Sequence, residues 1–275
     1  MKAKLFFIHG FNTTSLVWRK AINICEPSIE VHFHDWNSYY SPSSTCSRIL
    51  LNTFQAVSYG SCELAVCLKL AEENIDEEAD ILFSKINSIC GENELVMLVA
   101  HSMGTKILRQ AIDRIATERP DIIIHFMTIA GIENSANFGC FDTKVQSGVN
   151  LFNPRDNIIK NYELIGEYSD APIGRHGITY EDNIVNVKVD IEHSDYNKSY
   201  VFLNLFYLWT NQIMLKPSIT NFDFNQTAPI SSLLSFYPSI SPSIFLPFYP
   251  SLLVLLPYFN LLPSEVIRKY LLSVK

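Results

Sequence analysis

Metal-binding, nucleic-acid-binding and hairpin signatures are all missing from this chain of 275 residues. Its six cysteines (Cys25, Cys46, Cys62, Cys67, Cys90 and Cys140) include no C-x-x-C pair, and no histidine stands at metal-ligand spacing from them. That pattern disfavours a metal site and a disulfide framework, and fits reduced, mostly buried thiols in a cytoplasmic protein. No lysine- or arginine-rich cluster occurs, and the formal net charge of −7 argues against a nucleic-acid surface. No secretory leader is expected, because Met1 to Ile8 runs directly into a strand-like stretch that the fold needs. No tight hairpin signal separates the strand-like segments, which argues against an antiparallel meander.

What is present is apolar content, 48% of residues, enough for a substantial core. The most informative segment is Leu95-Val96-Met97-Leu98-Val99-Ala100-His101-Ser102-Met103-Gly104. An unbroken apolar run meets small-His-Ser-x-Gly, and Thr105 to Ala116 then reads as a helix with Ile107, Leu108, Ala111, Ile112, Ile115 and Ala116 on one face. This is the layout of a nucleophile elbow, a serine on a sharp strand-to-helix turn. Such a turn needs small residues two positions to either side so that strand and helix can approach. Gly104 meets the requirement, and Ala100 departs from G-x-S-x-G by one methyl group.

Other strand-like segments are Lys4 to Ile8, Ile29 to Trp36, Asp121 to Ala130, Gly148 to Phe152 and Ile184 to Ile191. Helical stretches are expected at Trp18 to Ile24, from about Arg48 to Cys90, and at Tyr200 to Leu215. Strands separated by helices imply an α/β fold with a mainly parallel central sheet covered on both faces. Only a modest loop joins the strands ending near Ala130 and starting near Gly148, so no large lid domain is expected there. Polar candidates follow the C-terminal ends of the strands, where open α/β sheets place their sites.

Ser102, Asp156 and His193 each follow their own strand, in the chain order Ser…Asp…His. With His9-Gly10-Phe11-Asn12 and the Ala100–Thr105 elbow, residues 2–215 resemble the serine α/β-hydrolases, and most of all small uncharacterised bacterial hydrolases of that superfamily. The resemblance implies Ser102 as nucleophile, His193 as base and Asp156 as the acid that holds the imidazole. It implies oxyanion donors at the backbone N–H groups of Met103 and Phe11, and His101 packed beside the elbow. His9 reads as a brace of the first loop. Asp182 and Glu181 are fallback acids and Asp35 a more distant one. Trp18, Trp36, Tyr39 and Tyr40 are candidates to line an acyl pocket.

The expected activity is hydrolysis of a small-molecule ester or related acyl bond through an acyl-enzyme on Ser102, with no metal or organic cofactor. An acyltransferase of the same architecture is the nearest alternative, and a non-catalytic binding protein of this fold is another. The catalytic domain is expected at 1–216. Residues 217–275 carry eight of the 13 prolines, with no charge from Phe224 to Ser264. They read as an irregular, low-complexity appendage with a short helix near Ser264 to Ser273. Its apolar content suits a weak membrane or protein contact, although Pro247, Pro250 and Pro257 would interrupt a spanning helix. Oligomeric state has no signature in the sequence.

Overall fold

A computed structural model describes residues 3–11, 13–36, 38, 68, 71–140, 145–165, 171–179 and 183–224. The chain divides into two compact units, Met1–Gln226 and Thr227–Lys275, and every described residue lies in the first. Six strands form one parallel sheet: β1 (Ala3–Ile8), β2 (Ile29–His34), β3 (Leu95–His101), β4 (Ile123–Ile129), β5 (Val145–Phe152) and β6 (Ile184–Lys188). Their order is β2-β1-β3-β4-β5-β6. β1 and β3 are buried along their whole length, which is why β3 and the Leu5–Ile8 part of β1 are apolar runs rather than alternating ones.

Right-handed crossovers determine where the helices go. The chain moves one way from β1 to β2, then reverses past β1 to reach β3 and continues to β4. So α1 (Arg19–Ile22) covers one face, while α2 (Ile75–Ile89) and α3 (Gly104–Glu118) cover the other. Ile75, Ala79, Leu82 and Ile86 of α2 are buried at helical spacing, as are Ile107, Leu108, Ala111, Ile112 and Ile115 of α3. The acids Asp76, Glu77 and Glu78 occupy the first turn of α2, where the helix dipole favours them. After β5 come α4 (Asn157–Ile165) and α5 (Ile173–His176), and after β6 comes α6 (Tyr200–Leu215). The Phe7 ring of β1 lies 5.1 Å from Trp18 and 5.7 Å from Phe206 of α6, so α6 packs on the α1 face.

The reversal between β1 and β3 is the topological switch point, where the loops leaving two adjacent strands diverge and open a crevice at their C-terminal ends. Gly10 and Phe11 follow β1 there, and Ser102 follows β3.

Several boundaries differ from the sequence reading for local reasons. β2 stops at His34, because the Trp36 N–H leaves the ladder to bond His9 Nε2. β6 stops at Lys188 rather than Ile191, because its only neighbour among the described residues, β5, ends at Phe152 and turns at Pro154. The Trp18–Ile24 helix is a 3-10 turn over Ser15–Trp18 followed by α1. The α4 and α5 helices were not anticipated. Of the long helical stretch expected before Cys90, α2 is described and residues 48–67 lie outside the described residues. The connection over 130–144 is too short for a lid domain.

Residues 217–224 lie against the sheet: His125 Nε2–H donates to the Pro217 carbonyl at 2.8 Å, and Phe222 is buried. Residues 225–275, with the helix expected near Ser264, lie outside the described residues. Among the described residues no helix is long and apolar enough to cross a membrane.

Candidate active site

Ser102 stands between β3 and α3 with φ of 52°, in the left-handed region that L-residues seldom adopt. Its N–H still bonds the Ile129 carbonyl at 3.0 Å, and its own carbonyl accepts from Thr105 N–H at 3.1 Å and Thr105 Oγ at 2.6 Å. The turn is thus pinned on both sides while the side chain is thrust beyond the strand end. Small neighbours are a steric necessity: a Cβ on Gly10 would come within 2.9 Å of Ser102 Cβ and of His101 Nδ1.

The imidazole of His193 bridges Ser102 and Asp156. Nδ1–H donates to Asp156 Oδ2 at 2.8 Å, which leaves Nε2 as acceptor for the Ser102 hydroxyl at 2.9 Å. Asp156 is fully buried and is also the N-cap of α4, with Oδ1 accepting from Ile159 N–H at 3.0 Å. Burial pushes its pKa up, but the hydrogen bond and charge of His193, with the N–H groups of Ile159 and Ile158, outweigh it and hold the carboxyl below its ordinary value. The aspartate that terminates the loop after β5 therefore both caps a helix and accepts the His193 Nδ1–H.

The first loop is braced from behind. His9 Nδ1–H donates to the Gly10 carbonyl at 2.8 Å, its Nε2 accepts Trp36 N–H at 3.2 Å, and Trp36 Nε1–H donates to the His9 carbonyl at 2.7 Å. Burial lowers the His9 pKa, which favours this neutral form. Thr13 Oγ also donates to the Gly10 carbonyl, at 2.9 Å. A peptide unit is planar and trans, so fixing the Gly10 carbonyl also fixes the opposite direction of the Phe11 N–H. Among the described residues, neither the Phe11 nor the Met103 N–H donates a hydrogen bond.

Two aromatic expectations need correction. Trp36 does not line an acyl pocket: it is buried and committed to His9. Trp18 is likewise a core residue, edge-on to His101 at 6.2 Å. Tyr39 and Tyr40 lie outside the described residues, as do the fallback acids Glu181 and Asp182. Asp35 holds Ser15 instead, accepting from its N–H at 2.9 Å and its Oγ at 3.0 Å.

His101 is no base. Burial, then the neighbouring His193, lower its pKa to about 3, and its Nε2–H donates to the His193 carbonyl at 2.8 Å. The sequence reading missed Asn153, whose Nδ2 donates to the Ile191 carbonyl at 3.0 Å. Its position beside Pro154 signalled a turn but gave no hint of a partner in a distant loop. The cysteines described with their side chains, Cys25 and Cys90, are free thiols, and burial raises them to about 12 and about 11.

A doubly wound parallel sheet with a serine at a strand–helix turn, followed in the chain by an acid and then a histidine, is the α/β-hydrolase arrangement. No family model matches the chain, and no curated protein matches it. It is similar to the solved structure of a predicted CIB-like hydrolase from Thermoplasma acidophilum, at 14% identity and TM-score 0.43, over 76% of this chain and 87% of that one. An esterase from Pyrobaculum calidifontis is similar at 12% identity and TM-score 0.43, over 80% and 78%. YbtT, a type II thioesterase from the yersiniabactin biosynthetic pathway, is similar at 11% identity and TM-score 0.42, over 80% and 95%.

Proposed function

We propose that the protein is a serine hydrolase that cleaves a small-molecule ester or related acyl bond through an acyl-enzyme on Ser102. The observation that carries this reading is the unbroken chain Ser102 Oγ, His193 Nε2, His193 Nδ1, Asp156 Oδ2, with links of 2.9 and 2.8 Å, mounted on a left-handed serine. A hydroxyl is a weak nucleophile at neutral pH and needs a base within about 2.6–3.2 Å. As Oγ bonds to the acyl carbon, its proton passes to His193 Nε2, and Asp156 stabilises the resulting imidazolium. The carbonyl oxygen becomes an oxyanion, for which the Phe11 and Met103 N–H groups are the candidate donors. His193 then gives its proton to the leaving alkoxide, leaving Ser102 acylated. Water attacks the acyl carbon as His193 takes one of its protons, and collapse returns that proton to Ser102 Oγ and frees the acid.

Pre-steady-state hydrolysis of 4-nitrophenyl esters of graded acyl length tests this. A burst of nitrophenolate approaching one equivalent per protein, absent in Ser102→Ala, is the expected result; turnover without a burst that survives in Ser102→Ala would refute the reading. Partition of the acyl group to an added alcohol or amine would move the assignment to an acyltransferase.

A further inference from the structure

We propose that His101 and Asn153 are positioning residues that hold the loop carrying His193, His101 reaching across from the end of β3 beside Ser102 and Asn153 from the turn that carries Asp156. For its catalytic meaning this rests on the hydrolase reading, but the geometry stands apart from it.

The need for such a device follows from the fold. After Lys188 the chain leaves the sheet edge and runs to Tyr196 with no strand or helix of its own. Val189 N–H still reaches the Phe152 carbonyl at 2.9 Å, but β5 has ended and the described residues offer no further ladder. A base must nonetheless be fixed to a few tenths of an ångström, since a misplacement of about 1 Å can cost about 100-fold in rate. Two side chains take the place of the ladder. Asn153 Nδ2–H donates to the Ile191 carbonyl at 3.0 Å, and His101 Nε2–H donates to the His193 carbonyl at 2.8 Å. These carbonyls lie on either side of Glu192, so the loop is held at two points.

Neither donor is free to turn. The Asn153 side-chain oxygen accepts from Arg155 N–H at 2.9 Å, which fixes which end of the amide faces Ile191, and its main-chain carbonyl accepts from Asp156 N–H at 3.0 Å. One residue therefore ties the turn bearing the acid to the loop bearing the base. His101 is 9% exposed, with Gly10 against the Nδ1 edge of its ring and the Trp18 and Tyr196 rings at 6.2 Å. Its ring centroid is 5.0 Å from that of His193. A neutral imidazole at that distance can donate to the loop without opposing the charge that His193 acquires during attack, and burial keeps it neutral.

The test uses His101→Phe, which keeps a ring and loses the donor; His101→Gln, which keeps a side-chain N–H; and Asn153→Ala. Two quantities are read on variants shown by circular dichroism to be folded. One is the low-field proton resonance of His193 Nδ1–H, assigned by its absence in His193→Gln. The other is the second-order rate constant for fluorophosphonate labelling. In His101→Phe and Asn153→Ala the resonance is expected to broaden or vanish and labelling to slow by about 10- to 100-fold. In His101→Gln the resonance is expected to persist, with labelling within a few-fold of wild type. A folded His101→Phe or Asn153→Ala with the wild-type resonance overturns the proposal, as does a His101→Gln as impaired as His101→Phe. If one variant does not fold, the others decide through the same resonance. A wild type that shows the resonance but takes no label refutes the hydrolase reading alone, and the resonance then judges the positioning role by itself.

Discussion

A Cβ added to Gly104 would stand 2.6 Å from the carbonyl oxygen of His9, closer than Cβ atoms come to a neighbour in real proteins. The loop leaving β1 and the first turn of α3 are therefore in main-chain contact, with nothing flexible between them to yield. Gly104→Ala must push the two apart, and with them the Phe11 N–H and Ser102. The expected result is a loss of about 1–3 kcal/mol in urea denaturation and a fall in esterase kcat of tenfold or more. Wild-type stability and turnover in this variant would mean that the contact has no role in aligning the loop with the serine.

Asp156→Asn should separate the two jobs of this residue. An amide oxygen still caps α4, so the domain should fold, but it no longer carries the charge that stabilises an imidazolium. Turnover should fall on the order of 10⁴-fold with little change in KM. Activity within tenfold of wild type would place the acid elsewhere, with Asp182 the first residue to examine.

Acid should destabilise the domain from about pH 6.5 downward, through its buried histidines. Burial lowers His34 and His125 to about 4 and His101 to about 3, whereas unfolded imidazoles titrate near 6.5. Between those limits the unfolded chain binds more protons, so stability falls as pH falls. Each group adds up to about 1.4 kcal/mol per pH unit to the slope. Above pH 6.5 their contribution is complete; it is spent once pH has dropped through each folded value. Asp156, whose pKa is also lowered, acts in a separate window that begins near its unfolded value of 3.8 and lies below it. Urea titrations from pH 8 to 4 should give a positive slope that is shallower in His125→Phe, by up to one proton. A flat profile would contradict neutral burial.

Much of this was legible from residue patterns, and the gaps have physical causes. The Leu95–Ala100 run announced β3 because a strand covered on both faces must be apolar throughout, and α3 declared itself by one buried face. Ser102, Asp156 and His193 could be nominated because each follows a strand, and the structure brings their side chains together. Strand ends were read too long at Trp36 and Ile191, because a ladder stops where its neighbour stops, which is a tertiary fact. Trp36 is a pocket candidate by residue type alone, because an aromatic side chain does not reveal whether its indole N–H faces a pocket or the His9 carbonyl. Asn153 stayed invisible for the same reason: its partner lies 38 residues away.

Truncation should distinguish a boundary at Gln226 from one at Lys216. Cutting after Lys216 removes the Pro217 carbonyl that accepts from buried His125, and the buried Phe222. Leaving a buried donor unpaired costs about 1–3 kcal/mol, and losing a buried aromatic side chain adds to that. The chain ending at Gln226 should therefore melt at a clearly higher temperature than the chain ending at Lys216. Equal melting temperatures would show that residues 217–224 contribute nothing to the fold.

In the proposed mechanism Ser102 is the nucleophile, activated by His193. That role is tested most directly by fluorophosphonate labelling of the full chain, followed by digestion and mass mapping of the modified peptide. The expected result is one adduct per molecule on Ser102, absent in Ser102→Ala and slowed by orders of magnitude in His193→Ala. A stable, folded protein that takes no label, or takes it on another serine, would contradict the claim.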